Sequence, residues 1–486
     1  MDKIIIVGGG SAGWMTAASL IHNFPEKEIT LVESDAPTVG VGESTLQFIR
    51  VWMHSLGIKD KDWMDECNAT YKASIKFENW DGEYGHFHYP FGEPVIEEQF
   101  SLDLYNFAKL GKTIDNSEWA ELFYPAAVMA EEGKLIERMV GWDLHKNSAY
   151  HFDATKFAQW LKNNYCVPRG VKVIEDTIKE IDTDGNGIKC LHGFDRHHRG
   201  PRALKADLYI DCTGFKGLLA EAVGIKFLDY SSGLVNDSAW ATQLPVTKPN
   251  QYYTNCTALN NGWVWDIPTK ERTGTGYVFS SRYIKDDAAL EEFKSYLNTE
   301  EELEFKLLKW KQGRREKFAH KNVVTVGLSA GFIEPLESNG LFLTHETLKE
   351  LIKTLSRGCF RGGDKNGFNY ALTKRFDDFA DFVLMHYQFS KRDDTAYWRD
   401  AHKYRLPNSD VNRFYDSVYR DSRVNPSNGH FNSIGFGLGV NSVSSYDAKY
   451  AEMFDGIDMV EQGIEHRKYL LARRDAWKKL INENSL

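Results

Sequence analysis

Three glycines near the start of the chain have the spacing of a dinucleotide-binding turn. Gly8, Gly10 and Gly13 form a Gly-x-Gly-x-x-Gly pattern directly after the apolar run KIIIV. Such glycines allow a tight turn and a close approach of the backbone to a pyrophosphate, which the N–H groups of the following helix can bind. Glu33 follows at the distance where a carboxylate can accept a hydrogen bond from a ribose hydroxyl. The pattern predicts a dinucleotide site, and the alternative is a tight turn with a structural role alone.

Three further stretches are rich in small residues, namely VGVGEST (39–45), IDCTG (210–214) and VVTVGLSAGF (323–332). The last two each end a buried apolar strand, where small residues let a ligand approach the backbone. Taken alone, 39–45 could equally be an ordinary surface loop. All of these segments together suit an extended FAD better than NAD. Because no second Gly-x-Gly-x-x-Gly marks a nicotinamide domain, we expect a flavin that another protein reduces.

Other residues with chemical potential are ambiguous when they are taken alone. Lys76 alternates with apolar residues in ASIKF, which favours a strand with the lysine facing solvent. Glu334 and Glu337 are three residues apart and can be an acid pair that complements a helix dipole. Trp263 and Trp265 in GWVWDIP would share one face of a strand, where they could fill a core or form the wall of a site.

The elements that must position these residues indicate an α/β protein. The segment KIIIVGGGSAGWMTAASLIHNF predicts strand, turn and helix, and EITLVES predicts a second strand. A helix is expected over 152–165, a hairpin around Asp-Gly-Asn-Gly, strands over 235–285, and mostly helices from about 345. The predicted fold is a Rossmann-like, FAD-binding monooxygenase-type α/β fold with a substrate-side β-sheet and a helical C-terminal region. We expect residues 1–345 to interleave FAD segments (about 1–50, 150–220 and 320–345) with that sheet, and 346–486 to be mostly helical.

Composition excludes several classes of function. The net charge is −10 and no basic stripe is present, which argues against a nucleic-acid partner. The six cysteines form no Cys-x-x-Cys pair, as expected of reduced thiols in a cytoplasmic protein. No apolar run has the length of a membrane span. We expect no metal site, because no His-Glu-x-x-His occurs and His197 and His198 lie in a basic stretch typical of a solvated loop.

Four motifs carry a resemblance to a known family: GGGSAGW (8–14), YKASIKFENW (71–80), GWVWDIP (262–268) and FIEPLESNG (332–340). Weaker matches are YHFDA (150–154), DCTGFKGLL (211–219), TGYVFSS (275–281) and RDDTAYW (392–398). Over about residues 1 to 400 the chain resembles the flavin-dependent halogenases of the tryptophan-halogenase type. The Trp-x-Trp-x-Ile-Pro string distinguishes that family among related flavin monooxygenases.

The resemblance implies a reaction and assigns residues to it. In the family, FADH2, oxygen and a halide ion give hypohalous acid, which passes through a tunnel to a lysine that matches Lys76. A glutamate that matches Glu337 assists at the substrate, and the backbone amides at Asn339 and Gly340 hold the halide. The tunnel and flavin-side wall would comprise Trp263, Trp265, Ile267, Pro268 and Ser338. The expected FAD contacts are Gly8, Gly10, Ser11, Ala12, Gly13, Glu33, Val39, Gly42, Ser44, Ile178, Asp211, Leu328 and Leu341.

The chain departs from the tryptophan-specific members in two places. Their aromatic-rich lid corresponds to residues 420–440, which contain neither Trp nor Tyr. We therefore expect an indole or phenol other than free tryptophan, either free or bound to a carrier. Asn339 replaces the threonine of those members, so the halide can be chloride, bromide or iodide.

The predicted partner is a separate NAD(P)H-dependent flavin reductase, and the chain can be a monomer or a homodimer. The alternatives are a flavin-dependent aromatic monooxygenase (hydroxylase) of the same fold and a non-catalytic flavin-binding protein.

Overall fold

The computed structural model describes residues 1–34, 43–80, 82, 85–95, 117–195, 200–246, 250–358, 360–407 and 457–486. The chain forms two compact units, each built from three separate segments. The first unit comprises Met1–Ala69, Phe152–Asp237 and Lys309–Ala380. The second unit comprises Thr70–His151, Ser238–Leu308 and Asp381–Leu486.

The strands in chain order are β1 (Lys3–Val7), β2 (Glu28–Glu33), β3 (Glu43–Ser44), β4 (Thr70–Lys72), β5 (Ser74–Glu78), β6 (His86–Pro90), β7 (Arg138–Met139), β8 (Trp142–Asp143), β9 (Ala149–Phe152), β10 (Lys172–Glu175), β11 (Glu180–Asp184), β12 (Gly187–Asp195), β13 (Gly200–Leu204), β14 (Leu208–Asp211), β15 (Phe227–Asp229), β16 (Ser238–Pro245), β17 (Tyr253–Leu259), β18 (Gly262–Pro268), β19 (Arg272–Phe279), β20 (Lys306–Lys309), β21 (Gly313–Arg315), β22 (Ala319–His320), β23 (Val323–Thr325) and β24 (Gly331–Phe332).

The α-helices are α1 (Ser11–Asn23), α2 (Ile49–Ser55), α3 (Asp60–Trp63), α4 (Glu118–Phe123), α5 (Pro125–Glu132), α6 (Leu144–Asn147), α7 (Ala154–Trp160), α8 (Leu218–Ala222), α9 (Asp286–Leu297), α10 (Asn339–Leu355), α11 (Gly362–Phe389), α12 (Ala396–Ala401) and α13 (Ile457–Asn484). A π-helix spans Leu161–Cys166, and short 3-10 turns span Val167–Arg169, Gly214–Lys216, Gly327–Ser329 and Pro335–Glu337. Among the helices that the structure describes, none combines the length and the apolar composition that a membrane crossing requires.

A six-stranded sheet forms the centre of the first unit, in the order β10-β2-β1-β14-β23-β22. Neighbouring strands from β10 to β23 run parallel, and β22 is antiparallel to β23. A parallel sheet covered on both faces needs apolar residues at successive positions, which explains the run KIIIV in β1. The predicted succession of β1, glycine turn, α1 and β2 is confirmed.

Local sequence signals also hold in the rest of the first unit. The predicted hairpin is formed by β11 and β12, which pair antiparallel on either side of Gly185 and Asn186. The helix predicted over 152–165 begins after Asp153, whose carboxylate accepts hydrogen bonds from the backbone N–H groups of Thr155 and Lys156. This is the capping role that an aspartate at a helix N-terminus performs.

A seven-stranded sheet forms the second unit, in the order β20-β16-β19-β18-β17-β5-β6. The register places Lys76 beside His88 on β6 and beside Asn255 on β17. Neighbouring residues across a sheet share a face. Phe77, Cys256 and Trp265 are neighbours one position further on, so they lie on the opposite face.

Helices cover parts of the second unit's sheet. Helix α9 buries Ala289 and Phe293 against Val264, Tyr277 and Phe279. Helix α5 packs on β5 and β6, and α13 packs on α4 and α5. The contact between α13 and α4 is apolar at its centre, where Leu470 joins the buried cluster Trp119, Ala120, Leu122, Phe123, Tyr124 and Ala127.

Candidate active site

The glycine turn of the first unit is folded too tightly for side chains at two of its positions. Gly8 has a φ of +120°, and a Cβ on Gly13 would lie 1.9 Å from the carbonyl oxygen of Gly8. Helix α1 begins at Ser11 with no side-chain cap and no acidic residue in its first turn. Its first N–H groups and the positive end of its dipole suit a pyrophosphate.

Two of the other small-residue segments, 210–214 and 323–332, meet this turn at one edge of the sheet. Strands β1, β14 and β23 are parallel neighbours, so their carboxyl ends lie together. Gly8, after β1, lies against the backbone of Cys212, after β14. Gly327, after β23, lies against Ala12 at the start of α1. A dinucleotide could approach the backbone at this edge, so the residues present fit FAD.

Glu33 lies beside the glycine turn at the end of β2. One carboxylate oxygen forms an ion pair with Lys162, and the other oxygen lies over Gly9, where a Cβ would be 2.5 Å away. The carboxylate predicted to bind a ribose thus lies beside the glycine turn, together with a lysine that the sequence did not indicate.

Asp211 has a structural task in the described chain. One carboxylate oxygen accepts hydrogen bonds from the backbone and side chain of Thr213. The other accepts from the backbone N–H groups of Leu219 and Ala220 at the start of α8. Burial raises the pKa of Asp211, while these hydrogen bonds act in the opposite direction.

The remaining predicted FAD contacts lie in different surroundings. Ser11 donates from Oγ to the carbonyl oxygen of Ala154. Ile178 is half-buried against the apolar cluster that includes Ile5 and Val7. Leu328 is half-buried in the turn Gly327–Ser329, and Leu341 is buried in α10. Gly10 precedes α1 as its N-terminal cap. Val39 and Gly42 lie outside the described residues, as do His197, His198 and residues 420–440.

The predicted halide residues begin helix α10. Ser338 caps this helix in the left-handed region, with φ 55° and ψ 37°, and its hydroxyl lies 2.9 Å from that of Ser44. The Asn339 side-chain amide donates to the carbonyl oxygen of Glu334, so its NH2 group is used within the loop. A Cβ on Gly340 would meet nothing within 4 Å, which leaves open space beside this helix start. The arrangement suits a small anion.

The two glutamates before α10 have different environments. Glu334 is fully buried, and its carboxylate accepts hydrogen bonds from Asn236 (2.8 Å) and Gln312 (3.4 Å). Glu337 is also fully buried, at the end of the turn Pro335–Glu337. Both glutamates therefore lie next to the start of α10, as an acid pair at a helix start would, but out of contact with solvent. Two fully buried carboxylates need specific roles, because burying a charge is costly.

Lys76 of the second unit is buried, which overturns the interpretation of a solvent-facing lysine. Its residue is 8% exposed, and its ammonium lies 2.8 Å from Glu131 Oε1 and 3.7 Å from Glu78 Oε1. The ring of Tyr253 lies below it, with 5.5 Å between Nζ and the ring centroid. Sequence periodicity failed here because helix α5, distant in sequence, covers this face of the sheet.

Three side chains near Lys76 form a group that the sequence analysis did not predict. One ligand-capable atom from each of His86, His88 and Glu131 lies within 4.8 Å of the others. The alternation in HFHYP could have indicated that the two histidines share a face. No pattern around Glu131 indicated that it would reach them.

Trp263 and Trp265 share one face of β18, as predicted. Both are buried, and their ring centroids are 6.3 Å apart at 61°. Trp265 packs over Gly276 on the neighbouring strand β19. The pair lies on the face of the sheet opposite Lys76. Ile267 and Pro268 complete the strand and are also buried.

Comparison with known proteins now identifies the family. The family model described as "Tryptophan halogenase" matches residues 3–443. The chain belongs to the tryptophan halogenase family.

Two curated relatives are similar over most of the chain. Tryptophan 7-halogenase RebH of Lentzea aerocolonigenes is 36% identical, covering 84% of this chain and 80% of its own. Tryptophan 6-halogenase SttH of Streptomyces toxytricini is 34% identical, covering 84% of this chain and 82% of its own. The solved structure of BrvH, a flavin-dependent halogenase from Brevundimonas sp. BAL3, has a TM-score of 0.84 and 29% identity, with coverage of 100% of this chain and 97% of that chain.

Membership of the tryptophan halogenase family confirms several predictions. The chain is a flavin-dependent halogenase with a Rossmann-like FAD-binding fold, and it depends on FADH2 and a halide. The family implies a separate flavin reductase as partner and an aromatic substrate. The family match does not assign roles to individual residues.

Proposed function

We propose that this halogenase transfers an electrophilic halogen to an indole or phenol other than free tryptophan, and that Lys76 carries the transfer. The relatives RebH and SttH act on tryptophan according to their names. The absence of Trp and Tyr from residues 420–440 of this sequence supports a different aromatic, free or carrier-bound. A cytoplasmic location and a monomeric or homodimeric state remain predictions.

Bound FADH2 supplies, with oxygen and halide, the hypohalous acid that the residues of this chain then use. We assign the binding of FADH2 to the sheet edge that carries the glycine turn and Glu33. We assign the binding of the halide to the backbone amides of Asn339 and Gly340. Trp263 and Trp265 are assigned to the wall on the flavin side. Their bulk would keep an organic substrate away from the flavin.

The Lys76 ammonium can donate a hydrogen bond to the oxygen of hypohalous acid. This polarises the oxygen–halogen bond and makes the halogen a better acceptor for the aromatic carbon. The aromatic carbon forms a bond to the halogen, the oxygen–halogen bond breaks, and the oxygen leaves as water after it receives a proton. Glu337 then takes the proton from the ring carbon, which restores aromaticity. The net change is ArH + HOX → ArX + H2O.

The observation that carries this proposal is the burial of Lys76 beside Glu131. A lysine with no chemical task would be expected to reach solvent, since ammonium groups are strongly hydrated. Here the ammonium is fixed within a sheet face lined by polar groups. That arrangement is typical of a site that needs one positive charge at a defined point.

The test is Lys76→Ala with Lys306→Ala as control, because Lys306 is an exposed lysine of the same sheet. Each variant receives FAD, a flavin reductase, NADH, oxygen, catalase, and a panel of indoles and phenols with chloride, bromide or iodide. We expect Lys76→Ala to lose halogenated product while it still binds and oxidises FADH2, and Lys306→Ala to behave like the wild type. Undiminished halogenation by Lys76→Ala would contradict the role of Lys76. Hydroxylated product formed without halide would contradict the halogenation of these substrates.

A further inference from the structure

Glu131 lies at the centre of a hydrogen-bonded chain that ends at Lys76. Its Oε1 is 2.8 Å from Lys76 Nζ and 2.8 Å from His88 Nε2. His88 is fully buried, and its Nδ1 lies 3.0 Å from the hydroxyl of Ser74. The strand register fixes these neighbours, because His88 on β6 is directly opposite Lys76 on β5. Helix α5 brings the carboxylate to both of them.

The contacts with His88 and Lys76 stabilise the ionised form of the Glu131 carboxylate. Burial alone would raise the pKa of Glu131, but the hydrogen bonds and charges of His88 and Lys76 outweigh burial and hold the pKa well below its usual range. Glu131 therefore stays ionised at pH values at which an exposed glutamate would already be protonated.

The other charged or titratable side chains near the Lys76 ammonium make longer contacts than Glu131 does. Glu78 is 3.7 Å from Lys76 Nζ, but its other oxygen accepts from the side-chain amide of Asn255. The side chain of His86 reaches Glu131 at 3.7 Å. Burial, together with the positive charge of Lys76, lowers the pKa of His86. Neither group replaces the short contact that Glu131 makes.

We propose that Glu131, fixed by His88, is the positioning residue that holds the Lys76 ammonium where hypohalous acid must be received. This proposal rests on the role assigned to Lys76 above. A lysine side chain has about 2 kcal/mol of rotamer entropy, so an unrestrained ammonium would sample several positions. A displacement of about 1 Å can lower a rate by about 100-fold, because reactive groups must stand in a narrow geometry.

The same group could instead be taken for a metal site. His86, His88 and Glu131 offer two imidazoles and one carboxylate, a set that divalent transition metals accept. However, the oxygen that would ligate the metal already holds the ammonium of Lys76 at 2.8 Å. A divalent cation there would face that positive charge across a few ångströms, so the geometry favours the ammonium.

The experiment compares Glu131→Gln with Glu132→Gln. The two positions are adjacent on α5, but Glu132 pairs with Lys478 at 3.3 Å instead of Lys76. Two quantities are measured with FADH2 and halide supplied: halogenated product per flavin oxidised, and hypohalous acid released to an added scavenger. We expect Glu131→Gln to oxidise flavin at the normal rate, to lose about 10-fold to 100-fold in product, and to release more free hypohalous acid. Glu132→Gln should match the wild type.

A comparison of the two single variants separates this proposal from the proposed function. If Glu131 acts through Lys76, both Lys76→Ala and Glu131→Gln lose halogenated product. Loss of product by Lys76→Ala but not by Glu131→Gln would overturn the positioning role and leave that of Lys76 intact. Full activity of Lys76→Ala would instead contradict the proposed function itself.

Two additional measurements guard against trivial outcomes. Ser74→Ala removes only the hydrogen bond between Ser74 and His88, so it should lower the halogenated product per flavin oxidised by a smaller factor than Glu131→Gln does. This variant keeps the proposal testable if Glu131→Gln folds poorly. An unchanged amount of product per flavin oxidised in both variants would overturn the proposal. The metal is tested with zinc sulfate and with chelator-treated protein: product formation that requires zinc would overturn the proposal in favour of a metal site.

Discussion

At the scale of single residues, two glutamates that are equally buried have different roles. Glu334 and Glu337 are three positions apart and equally buried. Glu334 accepts hydrogen bonds from two buried amides, whereas proton removal is the role that we propose for Glu337. The sequence could identify both as acids near a helix start, but it could not show that both lie out of solvent, because burial is decided by packing partners elsewhere in the chain.

The two glutamates should respond differently to substitution. We expect Glu334→Ala to lower the free energy of unfolding by about 1–3 kcal/mol, because it removes a buried carboxylate that accepts hydrogen bonds from the side-chain amides of Asn236 and Gln312. Glu337→Gln should lower the halogenation rate by about 100-fold or more with a much smaller change in stability. Urea unfolding and single-turnover halogenation measure the two effects. The assignment fails if Glu337→Gln keeps the wild-type rate.

At the scale of elements, local signals predicted more than long-range ones. The glycine turn, the hairpin at β11 and β12, and the cap at Asp153 depend on neighbours in sequence, and all three were predictable. The placement of α5 over β5 and β6 depends on packing between segments about 50 residues apart. No periodicity within either segment specifies that pairing, which is why the environment of Lys76 was missed.

The contact between α13 and α4 gives a prediction about packing. Leu470 is 1% exposed within the apolar cluster around Trp119 and Phe123. Replacing Leu470 by Ala should lower the free energy of unfolding by about 2–5 kcal/mol, through lost burial and the resulting cavity. Leu480→Ala is the matched control, since Leu480 lies on the same helix and is 42% exposed. Similar unfolding curves for both variants would refute the buried position of Leu470.

At the scale of the whole molecule, each unit draws on three separate segments of the chain. The parallel core of the first unit's sheet could be predicted, because β1, β14 and β23 are largely apolar runs followed by small residues. The assignment of residues 70–151, 238–308 and 381–486 to one unit could not, because these segments are far apart in sequence and only packing brings them together. Predicted domain limits at about residue 345 remain a sequence-based proposal.

His345 should make the free energy of unfolding of this protein depend on pH. Burial, with the charges of Lys349 and Arg375, lowers the pKa of His345 from 6.5 to about 3. Between these values the unfolded chain binds a proton that the folded chain does not, so stability falls as the pH falls from 6.5 towards 3. We expect His345 to contribute a slope of up to about 1.4 kcal/mol per pH unit in this window.

Urea unfolding between pH 4 and pH 7 checks this contribution. His345→Gln removes the titratable ring and should flatten the slope by that amount. His145→Gln is the control, because the His145 side chain is 54% exposed. If the free energy of unfolding of the wild type and of His345→Gln changed in parallel with pH, His345 would not cause the loss of stability at low pH.

The pairing of α13 with α4 has a consequence for how the protein is made. Arg467 and its partner Glu118 are 349 positions apart. At translation rates of 5–20 residues per second, roughly 20–70 seconds pass between the synthesis of the two. During that interval the apolar side of α4 has no α13 to cover it, and α5, which carries Glu131, lacks the same support. We therefore expect a nascent chain of this protein to offer this hydrophobic surface to chaperones until α13 has been synthesised.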